Sequence, residues 1–118
     1  MSEIEKMYNS VGIKVIRDNA IGRGYYIEHQ RIEEHPPFTA KKQIELIKWL
    51  VRRRFNFMVF ELRDNDFTFE VTNKRLKQTS QFVSLSENNF EEGLAKVLNC
   101  FWQDLTEEEK QQVKGILE

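Results

Sequence analysis

Residues 55–71 place an apolar side chain at every second position on both sides of a polar turn. Phe55, Phe57 and Val59 alternate with Asn56, Met58 and Phe60, the run Arg63-Asp64-Asn65-Asp66 interrupts, and Phe67, Phe69 and Val71 alternate with Thr68, Glu70 and Thr72. A period of two broken by turn-forming residues predicts a β-hairpin. The first strand is apolar on both faces and the second on one, so at least one side of the sheet requires a covering layer.

The covering material is present on both sides of this hairpin in the sequence. Thr39 can cap a helix over residues 40–54, in which Ile44, Ile47, Leu50 and Val51 recur at helical spacing. Asn89 followed by Glu92 resembles a capping box and introduces Phe90, Leu94, Val97, Leu98 and Phe101 on one stripe. Thr106 with Glu109 forms another, opening a third helix whose thin stripe of Val113, Ile116 and Leu117 predicts packing at the periphery or against a partner chain. Gln81–Leu85 reads as a short third strand at a sheet edge. Towards the N-terminus, Val11–Ile16 and Tyr25–Ile27 read as strands of a looser hairpin, with residues 17–24 as the loop between them. His35-Pro36-Pro37 stops any regular element. The sum is one α+β domain over residues 1–118: an antiparallel sheet packed against two amphipathic helices, with an N-terminal hairpin and a C-terminal helix as additions.

A chain of 118 residues with 40% hydrophobic content can bury a core without covalent staples, and its nine Phe supply much of it. The single cysteine, Cys100, excludes an intrachain disulfide and fits a reducing, cytoplasmic setting. Beside Phe101, it reads as a small buried hydrophobe. The charged N-terminus lacks the apolar run of a signal peptide, and no segment has the ~20 apolar residues that span a bilayer.

No catalytic constellation emerges. His29 and His35 flank Glu33 and Glu34, but the spacing matches no familiar metal-ligand set, and a structural or solvated role is the expectation. Gly22-Arg23-Gly24 is too short to cradle a phosphate and reads as loop. A small-ligand pocket around Tyr25, Tyr26 and His29 is a minor alternative. The expectation is a protein that is not an enzyme and carries neither cofactor nor metal.

Charge is more informative than motif. The formal total of −1 hides a segment, residues 40–77, with ten Lys or Arg against five Asp or Glu, and a segment, residues 86–118, with three against eight. Cations on a helix usually mark a solvated face or complement the helix dipole. Trp49 departs from that pattern, because helical geometry turns it away from Ile44, Ile47, Leu50 and Val51 and sets it among Lys42, Glu45, Arg52 and Arg53. Either it is exposed, or another element, the N-terminal segment or the third helix, folds over it. Since Trp and Arg are enriched in binding hot spots, Trp49, Arg52, Arg53, Lys48 and Lys42 form the candidate contact patch. The opposed charges also allow self-association, with the basic helix meeting the acidic C-terminal region of a second copy.

From Phe38 to Trp102 the order helix, strand, strand, short strand, helix resembles the phage ABA-sandwich family of small phage and prophage proteins. The similarity lies in Phe38-Thr39, the strands at 55–62 and 67–72, and Phe90-Glu91-Glu92-Gly93-Leu94-Ala95 opening the second helix. It implies an α/β sandwich encoded by a phage or mobile element and brings no functional residues with it. The function expected is a protein-binding accessory factor that engages or inhibits a host protein. The alternative is a nucleic-acid-binding regulator using the basic helix 40–54, opposed by an overall acidic pI near 6.2.

Overall fold

The computed structural model describes the backbone of residues 2–13, 16–23, 26–33, 35–64, 66–75, 81–87 and 89–118, and the side chains of 2–13, 35–61, 63–64, 66–75 and 89–118. In chain order the elements are α1 (Glu3–Ser10), β1 (Ile16–Arg23), β2 (Tyr26–Glu33), α2 (Ala40–Arg52), β3 (Phe55–Arg63), β4 (Asp66–Asn73), β5 (Gln81–Glu87), α3 (Phe90–Phe101), a 3-10 turn (Trp102–Asp104) and α4 (Glu107–Leu117). The class is α+β. None of the described helices is long and apolar enough to cross a membrane.

The alternating segment forms the predicted hairpin, with Phe57 opposite Val71 and Val59 opposite Phe69. Strand β5 pairs antiparallel with β4 and completes a three-stranded sheet in the order β3-β4-β5. Helix α3 covers the face that carries Phe55, Phe69 and Val71, all fully buried. Phe101 meets Phe55 with ring centroids 5.0 Å apart, and Phe90 meets Phe67 and Phe69 at 5.9 and 5.4 Å. Burying each such ring contributes on the order of 1.5–3 kcal/mol. Asn89 caps α3 through its side chain, accepting from the N–H groups of Glu91 and Glu92. Glu92 does not show the reciprocal half of the predicted box, because its carboxylate accepts instead from the N–H of Glu3 at the start of α1.

Helix α1 corrects the sequence reading, which began with a strand at Val11. Ser2 caps it by accepting from Glu5 N–H, and Ile4, Met7, Tyr8 and Val11 face the core. Its end is a Schellman motif: Gly12 stands at φ 78°, its N–H bonds to Asn9 C=O, and Ile13 N–H bonds to Tyr8 C=O. Glycine is required there because a side chain is disfavoured at positive φ. The helix lies on α3, held by Asn99 Nδ2 donating to both the carbonyl and the carboxylate of Glu3.

The N-terminal hairpin is longer and more regular than predicted. Strand β1 runs through residues 17–23, where the sequence predicts a loop, and pairs with β2 from Ile16 opposite Glu33 to Arg23 opposite Tyr26. Asp18 and Asn19, turn-forming residues by preference, lie within this strand opposite Arg31 and Gln30. This pair forms its own sheet. The chain measures 63 × 37 × 24 Å with a radius of gyration of 16.9 Å, against about 13 Å for a spherical domain of this length.

Helix α2 ends at Arg52, two residues short of the expected limit, because Arg54 adopts φ 70° and turns the chain directly into β3. Its buried side is also rotated from the predicted stripe. Gln43, Leu46 and Leu50 are buried and Ile47 is half-buried, whereas Ile44 and Val51 are 52% and 53% exposed. The physical reason is α4, which packs on the side of α2 that carries Trp49 and draws the buried arc towards it. Val113 and Leu117 of α4 are fully buried, so this helix belongs to the core of the chain itself.

Candidate functional site

The five residues of the predicted contact patch divide into two groups. Lys48 and Arg52 are exposed; Trp49, Arg53 and Lys42 turn towards α4 and are partly covered. Trp49 Nε1 donates to Gln112 Oε1 at 2.9 Å, and the same oxygen accepts from Arg53 Nη2 at 2.6 Å. The Arg53 guanidinium sits 5.5 Å from the Trp49 ring centroid, a cation–π arrangement. Lys42 Nζ donates to Leu117 C=O at 3.0 Å, placing a cation at the negative end of the α4 dipole. Of the two placements open for Trp49, the third helix of the sequence reading is the cover, and the indole is not stranded in solvent.

Glu109 anchors this arrangement from α4. The predicted capping box is complete: Thr106 Oγ1 accepts from Glu109 N–H, and Glu109 Oε1 accepts from Thr106 N–H at 3.0 Å. The same buried carboxylate pairs with Arg75 Nη2 and lies 3.7 Å from Arg53 Nε. Burial alone would raise its pKa, but the Thr106 N–H and the Arg75 guanidinium outweigh burial and hold it below the ordinary carboxylate value. The opposed charges of the middle and C-terminal segments thus meet within one chain.

Beyond this cover, α2 presents Lys41, Lys48 and Arg52 on one exposed ridge, with Glu45 beside them and the apolar side chains of Ile44 and Val51 along its flank. Val51 also borders a groove of about 540 Å³ whose other walls include Phe57, Met58, Glu70, Thr72 and Lys74. Met58 and Val59 on β3 are 59% and 37% exposed. Large apolar groups left open beside cations suit a protein-facing surface better than a solvated one. Sequence periodicity missed this, because Ile44 and Val51 fit an inward stripe until the position of α4 is known. Gln112, a polar residue with no motif around it, gave no signal.

The remaining sequence candidates resolve as structural positions or fall outside the described residues. The His35 ring stacks on Tyr8 with centroids 4.3 Å apart and makes a 2.6 Å hydrogen bond with Pro36 C=O. Gly22 lies within β1; the side chains of Arg23, Tyr26, His29 and Glu33, and all of Gly24, Tyr25 and Glu34, lie outside the described residues. Cys100 is exposed instead of buried. Desolvation first, then the Glu3 carboxylate, push its thiol above the ordinary value, with Lys96 opposing; it is not activated as a nucleophile. No group of three or more metal-capable side chains occurs among the described residues. No protein-family model, curated protein or solved structure matches this chain.

Proposed function

We propose that this chain is a non-enzymatic accessory factor that binds a protein partner through the exposed ridge of α2. The observation that carries the reading is the division of α2: α4 takes up Trp49, Arg53 and Lys42, while Lys41, Lys48 and Arg52 stay open beside Ile44 and Val51. Such a surface is complementary to an acidic patch with an apolar centre. A phage-encoded factor acting on or inhibiting a host protein is the biological setting that the ABA-sandwich layout suggests. Nucleic acid is the second reading, favoured by the same three exposed cations. It ranks behind because Glu45 interrupts the ridge and its flank is aliphatic.

The test compares the chain with its Lys48→Glu, Arg52→Glu double variant in affinity capture from a candidate host lysate. One defined protein should be retained by the parent and lost by the variant, whose circular dichroism stays unchanged. Equal retention by both would overturn the assignment to α2. A mobility shift of duplex DNA or RNA that weakens steeply with salt would replace it by the nucleic-acid reading.

A further inference from the structure

We infer that β3 is a pairing edge, and that two copies of this chain join there, antiparallel about a two-fold axis at Met58, into one continuous sheet. The inference stands apart from the partner reading, since it concerns the chain alone. Strand β3 is the outer strand of the order β3-β4-β5. Lys74 N–H donates to Arg54 C=O and Phe55 lies opposite Asn73. In an antiparallel ladder that pattern makes Phe55–Asn73 a non-hydrogen-bonded pair, so the N–H and C=O groups of Phe57 and Val59 point away from β4. Among the described residues no strand takes them up. Natural edges are blunted by proline, lysine or early bulges. The sequence FNFMVFELR has neither residue, and its register shift comes only between Glu61 and Arg63.

The features around this edge are self-complementary. Antiparallel pairing centred on Met58 sets Phe57 against Val59 of the second copy, and the reciprocal, with both backbone bonds exchanged in each pair. The two Met58 side chains, 59% exposed in the single chain, meet at the axis, where non-hydrogen-bonded partners approach most closely. Arg54 stands just before the strand and Glu61 near its end, so an antiparallel copy brings unlike charges alongside at both ends. Arg63 lies beyond the bulge, opposite Asp66 of its own chain. A two-fold axis normal to the sheet keeps both copies the same way up. The α2 ridges therefore share one side of the assembly, and Val51, which borders a groove with Phe57 and Met58, lies near the join.

Sedimentation equilibrium of the full chain tests this. The parent should be a dimer. Val59→Pro removes only an outward N–H, so it should leave the far-ultraviolet circular dichroism intact and yield a monomer. Met58→Lys, at an exposed position that tolerates it, sets like charges against each other and should raise the dissociation constant at least about tenfold. Mixing Met58→Lys with Met58→Glu should restore a dimer, because opposite charges then meet at the axis; this arm decides the matter even where proline perturbs the strand. A parent that stays monomeric into the millimolar range, or a dimer indifferent to both Met58 substitutions, would overturn the inference.

Discussion

Replacing Gly93 by alanine sets helix propensity against packing, and the structure decides the sign. In the interior of a helix, glycine to alanine normally gains about 1 kcal/mol, and α3 would be expected to benefit. A Cβ on Gly93, however, would lie 2.2, 2.7 and 2.9 Å from Cε2, Cζ and Cδ2 of Phe69. Carbon atoms sit comfortably at roughly 3.5–4.0 Å, so the ring would have to retreat by more than about 1 Å. Phe69 is fully buried, with Phe90 against it, so a retreat would have to displace its neighbours. Overpacking costs about 1–3 kcal/mol, and an overlap this deep belongs at the upper end. Subtracting the propensity gain leaves a net loss of about 2 kcal/mol, or roughly 8 °C in Tm for a domain of this size. Thermal and urea denaturation measure it. Phe69→Leu, destabilising alone, should accommodate alanine at position 93, so the double-mutant cycle should show a favourable coupling of at least ~1 kcal/mol. A Gly93→Ala chain as stable as the parent, or more so, would refute the close approach of α3 to β4.

Arg54→Gly should raise stability by about 0.5–1 kcal/mol, since a left-handed conformation costs an L-residue about 1–2 kcal/mol and glycine gives back only part of that as chain entropy; a lower urea midpoint would count against it. Tyr8→Phe removes a hydroxyl that is buried without a partner among the described residues and whose pKa burial pushes up to about 12. Its Tm should be unchanged or higher, a gain of up to about 1 kcal/mol, and a marked loss would mean the hydroxyl is bonded. Glu109→Gln keeps a capping side chain but loses the charge facing Arg75 and Arg53, at a cost of about 1.5–3 kcal/mol at neutral pH. Because the folded pKa of Glu109 is depressed, its contribution is fully present above the ordinary carboxylate value and is lost as pH falls through the folded one. The stability gap between parent and variant should therefore close in acid, and a gap independent of pH would contradict the ion pairing.

The legible parts of the fold were those where one local signal decides the outcome. Alternation at 55–71 marked the hairpin, and Thr106 with Glu109 marked the start of α4, because both depend on neighbours in sequence. Helix α1 was also legible and was overlooked: Ser2 and Glu5 at its start, Ile4, Met7, Tyr8 and Val11 at helical spacing, and Gly12 at its end. What local pattern could not supply was the orientation of α2. Which of Leu46, Ile44 and Val51 faces inward depends on where α4 docks, some sixty residues later in the chain, and Trp49 finds its partner only in Gln112. For the same reason, a patch drawn from helical geometry joined residues that the tertiary contacts separate.

The Glu109 carboxylate fastens three stretches of chain at once: the opening turn of its own helix, the last turn of α2, and the segment that follows β4. A knot tied this way does not loosen strand by strand. Neutralising that one group weakens the cap of its helix and the exit from the sheet together, while Gln112 keeps its own hold on the guanidinium and the indole.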